Sequence, residues 1–169
     1  MTPEFSRTVH AHEIGVIERA ETVDATPDER SALIRRFGLL SLDSLSAHFI
    51  LRREAGGIRV RGAIAARGAQ PCALSGEPVA FTLDEPVDLR FTETQSVDDE
   101  DIELSGADLD TLPLDGDDLD LGEATAQSLG LALDPYPRAP GAEAAVPVTP
   151  EDNVVPLKRP NPFAVLKRD

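Results

Sequence analysis

Few side chains in this chain are suited to chemistry, and the first to consider is its single cysteine. Cys72 follows Pro71, and no histidine lies near it in the sequence. A free cysteine is most often a small buried apolar residue, so we interpret Cys72 as a structural thiol rather than a nucleophile. A single cysteine also excludes an internal disulfide bond and a multi-cysteine zinc site.

Two of the three histidines have a spacing that could suit a metal ion. His10 and His12 are two residues apart, and on a strand such residues project from the same face. Nothing in the sequence supplies a third ligand, so we favour surface histidines over a metal site. His48 lies between Ala47 and Phe49 and is interpreted as a residue of a sheet.

The sequence motifs of enzymes are absent. The chain has no glycine-rich loop that could bind phosphates and no Gly-x-Ser-x-Gly pattern for a nucleophile. Its acidic residues are too numerous and too clustered to single out a catalytic pair. We therefore predict no catalytic residue, no cofactor and no small-molecule substrate. The alternative is a small-ligand or metal-binding protein that uses the interior of a sheet with His10, His12 and Cys72.

Charge is distributed unevenly along the chain, whose net charge is −15. Residues 1–90 carry 11 Lys/Arg and 13 Asp/Glu, whereas residues 91–137 carry 14 Asp/Glu and no cation. Residues 138–169 carry 5 cations and 4 acids. The central acidic block should repel the phosphates of RNA and attract a basic partner, whereas the first 90 residues would not repel RNA.

The clearest local pattern predicts a helix over residues 27–37. Thr26 suits the N-cap, Pro27 the first helical position and Glu29 the third, which together make a capping box. Gly38 can end the helix.

A β-hairpin is predicted after this helix. Residues 47–54 and 58–67 have the composition of strands and flank a Gly-Gly pair at 56–57. We interpret the pair as a two-residue turn, which places Glu54 opposite Arg59.

A third strand is predicted over residues 77–91, where apolar and polar residues alternate. Pro78 and Pro86 lie on this run, so we expect an edge strand or a broken one. The apolar faces of these strands should form one side of an antiparallel meander, which the capped helix can cover. The fold class is therefore predicted to be α+β.

A second helix is predicted after an acidic loop at residues 93–118. Asp120 can cap this helix, although two glycines weaken its pattern. We predict one α+β domain over residues 1–137. Residues 138–169 are predicted to form an extended Pro-rich tail that ends in a docking motif.

The chain is expected to be a cytoplasmic protein. Its N-terminus lacks the basic and apolar regions of a signal peptide. An uncharged apolar stretch at residues 124–133 is about half as long as a membrane span requires. A single cysteine fits a reducing compartment.

Three segments of the sequence are distinctive when they are taken in order. They are QPCALSGEPVAFTLDEPVDLRF at 70–91, DLGEATAQSLGLALDPYPR at 120–138 and NPFAVLKRD at 161–169. The ordered set resembles the YceD family, the large ribosomal RNA subunit accumulation proteins. The positions that carry the resemblance are Cys72, Glu77, Pro78, Asp120, Leu121, Gly122, Glu123, Pro135, Pro137, Asn161, Pro162 and Phe163.

One position departs from the pattern of this family. Many members carry a Cys-x-x-Cys pair in the central segment, whereas here Ser75 stands where the second cysteine would be. A metal or redox role of such a pair is therefore not supported, because Cys72 alone would bind a metal poorly.

The resemblance implies a non-enzymatic factor for the accumulation of large-subunit ribosomal RNA and for biogenesis of the large subunit. The residues leave two kinds of contact open. Direct contact with the RNA would use cations on the first helix and the hairpin, namely Arg30, Arg35, Arg36, Arg52, Arg59 and Arg61. Contact with a basic ribosomal protein would use the acidic loop, and this second route is favoured by the charge distribution. Its candidate residues are Asp98, Asp99, Glu100 and Asp101.

The segment NPFAVLKRD, which we call the C-terminal box, is interpreted as a docking motif. Its Asn-Pro-Phe sequence should form a turn that presents Phe163, Val165 and Leu166 to an apolar groove. We favour a groove on the protein's own sheet over a groove on a partner.

Overall fold

A computed structural model of the chain describes residues 4–92, 110–114 and 116–142. The strands are β1 (Thr8–His10), β2 (Arg19–Asp24), β3 (Ser41–Glu54), β4 (Gly57–Pro71), β5 (Pro78–Thr92), β6 (Asp110–Pro113) and β7 (Asp118–Asp120). The helices are α1 (Pro27–Phe37) and α2 (Leu121–Ala132), and a short 3-10 helix spans Ala11–Glu13. The predicted α+β class is confirmed.

Five strands form the main sheet in the order β2-β3-β4-β5-β6, and β1 pairs with β7 in a separate two-stranded sheet. Neighbouring strands from β2 to β5 are antiparallel, as the predicted meander requires. β6 departs from the meander because it pairs with β5 in parallel, with Leu89 opposite Asp110. The main sheet is therefore mixed.

One face of the main sheet carries the hydrophobic core. Alternate residues of β3, β4 and β5 point to this inner face and are buried, for example Phe49, Ile64 and Leu89. α1 lies against β3, and α2 lies against β4 and β5. Leu33 of α1 and Leu129 of α2 join the same apolar cluster. Both helices therefore cover the sheet, whereas only the first was expected to do so.

α1 has the predicted bounds and the predicted capping box. The Thr26 hydroxyl accepts the N–H of Glu29 at 3.4 Å, and the Glu29 carboxylate accepts the N–H of Thr26 at 2.8 Å. Pro27 occupies the first turn, where a missing N–H removes no helical hydrogen bond. Gly38 ends the helix with a left-handed φ of 63°.

The turn between β3 and β4 lies one residue earlier than predicted. Glu54 pairs with Gly57, so the turn residues are 55–56 and the expected pairing of Glu54 with Arg59 is wrong. The second turn residue is a glycine with the positive φ of 87° that such a turn favours. Gly57 itself lies in β4, where a Cβ atom would stand 2.2 Å from the carbonyl oxygen of Phe91 in β5. The second glycine therefore permits close strand packing rather than the turn.

β5 is one continuous strand with the predicted alternation. Its inward residues near the end, such as Leu89 and Phe91, are buried. Neither Pro78 nor Pro86 breaks the strand. β6 pairs only with residues 89–92. Within the described part of the chain, the preceding residues of β5 therefore form an edge of the sheet, as the two prolines favour.

Part of the predicted acidic loop belongs to the folded structure. β6 and the start of β7 lie within residues 93–118. The C-terminal tail is described as far as Ala142, which is buried. The candidate contacts Asp98, Asp99, Glu100 and Asp101 and the motif residues Asn161, Pro162 and Phe163 lie outside the described residues.

An ion pair joins the N-terminal segment to the start of α1. The Arg7 guanidinium donates two hydrogen bonds to the Glu29 carboxylate, at 2.7 and 3.0 Å. These bonds lower the pKa of Glu29 to about 2, and hydrogen bonds from Thr26 add to the shift. The carboxylate that completes the capping box thus also holds the segment that precedes β1.

We expect Glu29→Gln to lower the free energy of unfolding, with the largest loss above pH 4.5 and the smallest near pH 2. The pKa of Glu29 lies below its usual value of 4.5 in the folded protein, so its stabilisation is complete above that pH and is lost on acidification. Arg7 is more than a third exposed, and solvent screening reduces the expected loss at neutral pH to about 1 kcal/mol.

Urea unfolding at several pH values measures this dependence. Asp28→Asn is the control, because it removes a neighbouring carboxylate of α1 that pairs with no cation in the described residues. A Glu29→Gln effect that stays constant between neutral and strongly acidic pH would contradict the assignment.

Candidate functional site

The carboxylate of Asp120 connects the start of α2 to the N-terminal segment. Asp120 ends β7 and is the N-cap of α2, where its Oδ1 accepts the N–H groups of Gly122 and Glu123 at 2.9 and 3.0 Å. The same carboxylate accepts the N–H of Arg7 at 2.8 Å and the hydroxyl of Ser6 at 2.6 Å. The predicted cap is confirmed, and the side chain has a second role that the sequence did not indicate.

Leu121 and Gly122 bring the N-terminal segment into contact with the first turn of α2. The N–H of Leu121 donates to the Arg7 carbonyl oxygen at 2.9 Å. A Cβ atom on Gly122 would lie 2.8 Å from the Arg7 nitrogen and from the Phe5 carbonyl oxygen. Gly122 weakens the helix pattern, but a glycine is required at this position because the backbone of residues 5–7 packs directly against it.

Glu123 joins α2 to the end of α1. Its carboxylate accepts two hydrogen bonds from the Arg36 guanidinium, at 2.8 and 2.7 Å. These hydrogen bonds hold the pKa of Glu123 below its usual value. Arg36 also lies 3.3 Å from Glu4. Arg36, a candidate RNA contact, is thus part of an internal contact between the two helices.

Two of the three segments that carry the resemblance meet at Cys72, in the turn between β4 and β5. The N–H of Cys72 donates to the Glu77 carbonyl oxygen at 2.7 Å, which closes the turn just before Pro78. The N–H of the next residue donates to the Pro137 carbonyl oxygen at 2.8 Å. The sulfur of Cys72 accepts the N–H of Ala139 at 3.3 Å. The turn therefore anchors the chain that follows α2.

Cys72 is buried, as a structural thiol should be, yet its surroundings favour the thiolate. The backbone N–H of Ala139 is the main cause of a pKa lowered from 9.0 to about 6, followed by the side chain of Ser75. The Ser75 side chain thus lies within hydrogen-bonding reach of the sulfur. The pKa reflects the hydrogen bonds that hold the turn and the tail together.

Pro135 lies in the segment that runs from α2 to the Cys72 turn. Just before it, the Asp134 carbonyl oxygen accepts a hydrogen bond from the Gln70 amide at 2.9 Å. Just after it, the N–H of Tyr136 donates to the Asp134 carboxylate at 2.9 Å. Pro135 and Pro137 therefore belong to a connection that is held against the end of β4.

His10 and His12 bind carboxylates of the acidic block. The Nδ1 atom of His10 lies 2.6 Å from the Asp118 carboxylate, and His12 pairs with Asp117. The hydrogen bond with Asp118 raises the pKa of His10. Among the residues that the structure describes, no group of three or more His, Cys, Asp or Glu side chains could hold a metal ion.

His48 lies in β3, as its apolar neighbours indicated, and points to the outer face of the sheet. Its Nδ1 atom is 3.1 Å from the Thr22 hydroxyl on β2, directly opposite in the strand register. His48, the third histidine, is therefore a cross-strand partner of Thr22.

The six candidate RNA-contacting arginines do not form one surface. Arg35 and Arg52 pair with no carboxylate within the described residues. They lie on opposite sides of the sheet, because α1 packs against the inner face and Arg52 points to the outer face. The other four have internal partners: Arg30 binds the Ala25 carbonyl oxygen, Arg36 binds Glu123 and Glu4, Arg59 binds Asp88 and Arg61 binds Glu18.

The sequence prediction missed Arg90, which completes a row of three arginines on the outer face. Arg52 is opposite Arg59, and Arg59 is opposite Arg90 in the register of β3, β4 and β5. Arg59 donates two hydrogen bonds to Asp88, at 2.9 and 2.7 Å, whereas Arg90 lies 4.0 Å from Glu54. The alternation along β5 is enough to place Arg90 on the outer face. The sequence has no local signal for the register of β5 against β4, so it could not predict that Arg90 lies opposite Arg59.

Neither helix of the described residues is long and apolar enough to cross a membrane. The structure thus defines a small α+β protein whose mixed sheet is covered on one face by two helices, and in which Cys72, Asp120 and Gly122 hold turns and helix ends.

The model of the family described as large ribosomal RNA subunit accumulation protein YceD matches residues 60–168, so the chain belongs to this family. The match includes the segments at 70–91 and 120–138 and residues 161–168 of the third. The description of the family indicates a role in the accumulation of large-subunit ribosomal RNA. No curated protein and no solved structure matches the chain.

We expect Gly122→Ala to destabilise the protein although alanine is the better helix former. The new methyl group would lie 2.8 Å from backbone atoms of the N-terminal segment, and such overpacking typically costs about 1–3 kcal/mol. Propensity alone would stabilise the helix by about 1 kcal/mol, so the sign of the change in melting temperature distinguishes the two effects. Gly15→Ala is the control, because the nearest atom to its Cβ is 4.0 Å away.

We expect the thiol of Cys72 to titrate with a midpoint near 6 rather than 9.0. The ultraviolet absorbance of the thiolate, followed from acidic to alkaline pH, measures the midpoint, and Cys72→Ser provides the blank because the chain has no other cysteine. Ser75→Ala should raise the midpoint by removing one hydrogen bond to the sulfur. A midpoint near the ordinary value in the folded protein would contradict the hydrogen bonding described.

Proposed function

We propose that this chain promotes the accumulation of large-subunit ribosomal RNA as a non-enzymatic, cytoplasmic factor that binds a basic ribosomal protein. The acidic loop is the proposed contact, with Asp98, Asp99, Glu100 and Asp101 as its centre. Membership of the family supports the general role. The choice of partner rests on how the described residues use their charges.

The observation that carries the proposal is that carboxylates of the fold already neutralise three of the six candidate arginines. Arg36, Arg59 and Arg61 already pair with carboxylates. An RNA phosphate would have to replace these carboxylates, and the exchange would return little free energy. The two candidates that pair with no carboxylate in the described residues, Arg35 and Arg52, lie on opposite sides of the sheet and could not contact one phosphate group together.

The central acidic block contains no cation of its own, although three of its folded acids, Glu123, Asp117 and Asp118, pair with Arg36, His12 and His10. Residues 91–137 carry 14 Asp/Glu and no cation. A segment of this charge attracts a cationic partner over long distances and raises its association rate, and it repels RNA. Binding a basic ribosomal protein before it reaches the RNA is therefore the role that the charge distribution supports best.

Direct contact with ribosomal RNA is the second candidate, and one observation favours it. Arg52, Arg59 and Arg90 stand side by side on the exposed outer face. Like charges directly opposite one another on a sheet are unfavourable, and a bound phosphate backbone would relieve that repulsion. This row is therefore the proposed contact surface if the partner is RNA.

Two matched variants separate the candidates. The first replaces Asp98, Asp99 and Asp101 with Asn and Glu100 with Gln. The second replaces Arg52 and Arg90 with Gln, which leaves the Arg59–Asp88 pair intact. We expect the first variant to lose the ribosomal proteins that co-purify with the wild-type chain and to lower the ratio of large to small subunits on a sucrose gradient. The second should leave both measurements unchanged.

Retention of every ribosomal-protein interaction by the acidic-loop variant would contradict the proposed partner. Loss of bound RNA in the arginine variant would support the second candidate instead. If depletion of the protein left the subunit ratio unchanged, the general role would itself be wrong.

A further inference from the structure

A groove runs along α2 where the edge of the main sheet is open. It contains two adjoining hollows of about 220 and 240 Å³, which share Leu89, Ser128 and Leu131 as lining residues. Val87 and Leu112 add apolar surface from β5 and β6. A closed apolar cavity of about 150 Å³ can hold a benzene ring. Either hollow is therefore large enough for an aromatic side chain.

Leu131 marks this groove as incompletely covered. Its side chain is 82% exposed although it lies on the wall of both hollows. The adjacent residues Val87 and Leu89 belong to the buried core. The groove is thus a shallow extension of the core that ends at the solvent-exposed Leu131. It lies beside the residues of β5 before Leu89, which form the open edge of the sheet in the described part of the chain.

The electrostatics of the groove favour a cationic occupant. Glu85 lies on the wall of the first hollow, is exposed and pairs with no cation in the described residues. Ala132, the last residue of α2, lines the same hollow, and the C-terminal end of a helix attracts positive charge. The last turn of α2 carries no basic residue, so no side chain of that turn balances the partial negative charge at the end of the helix.

The C-terminal box has the complementary chemistry. It carries the apolar side chains Phe163, Val165 and Leu166, followed directly by Lys167 and Arg168. The apolar residues suit the hollows, and the two cations suit Glu85 and the end of the helix. We propose that residues 161–169 bind in the groove between α2 and the edge of β5 of the same chain, with Phe163 as the anchor.

The length of chain before the box allows this contact. The last described residue, Ala142, lies near the Cys72 turn, and residues 143–160 separate it from the box. The groove starts at Glu85 on β5, roughly 25 Å along the strand from that turn at about 3.3 Å per residue. Eighteen residues can extend to about 60 Å, so the box can reach the groove without displacing any described element.

Methyl NMR on the full chain tests the proposal, which does not depend on the proposed function. In a leucine-labelled sample, we expect Phe163→Ala to shift the methyl signals of Leu131 and Leu89, because the aromatic ring that perturbs them is removed. Leu33, which is buried under α1, should not shift. Val154→Ala lies in the segment before the box and is the matched control, for which no shift is expected at Leu131 or Leu89.

A reciprocal variant tests the other side of the contact. Leu131→Asp replaces an exposed side chain, and an unchanged Leu33 signal would verify that the fold is retained. In this background, Phe163→Ala should no longer shift the signal of Leu89, and the melting temperature should fall no further than in either single variant. Unmoved Leu131 and Leu89 signals in Phe163→Ala would overturn the proposal. Shifts that disappear on dilution would overturn it as well, because the box would then occupy the groove of a second copy.

Discussion

The carboxylate of Asp120 is the interaction on which much of the fold depends. It accepts four hydrogen bonds, two from the first turn of α2 and two from the N-terminal segment. The donors are three backbone N–H groups and one hydroxyl, and all four bonds are partly buried. Without the Asp120 carboxylate these donors would lose their acceptor, and an unpaired buried polar group lowers stability. With Arg7 bound to Glu29 and Arg36 bound to Glu123, both helices and the N-terminal segment are held together around this one side chain.

In the described part of the chain, the residues that suggested the resemblance thus have structural roles. Asp120, Leu121, Gly122 and Glu123 connect α2 to the N-terminal segment and to α1, and Cys72 binds the chain that follows α2. The same ion pairs occupy several arginines that could otherwise contact RNA. The fold and the proposed choice of partner therefore rest on one distribution of charge, in which carboxylates occupy several arginines of the folded region while residues 91–137 contain no cation of their own.

Local signals were sufficient for both helices and for the alternation along β5. The capping box of α1 and the Asp120 cap of α2 each involve residues three positions apart, so the sequence contains the whole interaction. The predicted hairpin turn lies one residue too late, which shifts each strand pairing by two positions, because a Gly-Gly pair fits two turn positions. The deciding contact is the approach of the Phe91 carbonyl oxygen to Gly57, which comes from a later strand.

The candidate sites depend on contacts between residues that are far apart in the sequence, and the sequence predicts these contacts less well. Gly122 was interpreted as a weakness of the second helix, because the backbone that requires it lies near the N-terminus of the chain. The cationic candidates were chosen by charge and strand parity alone. Neither property indicates that Asp88 lies beside Arg59 or that Glu123 lies beside Arg36, since those pairs are set by strand register and helix packing.

The hydrogen bond between Ser6 and Asp120 also sets an order in time. The two residues are 114 positions apart, so at a synthesis rate of about 5–20 residues per second Ser6 is made roughly 6–23 seconds before Asp120. β2 to β5 and α1 can form from neighbouring segments during that interval, because their contacts are local along the chain. The N-terminal segment can bind only after α2 has been made, so the first residues to be synthesised are among the last of the described residues to reach their final contacts.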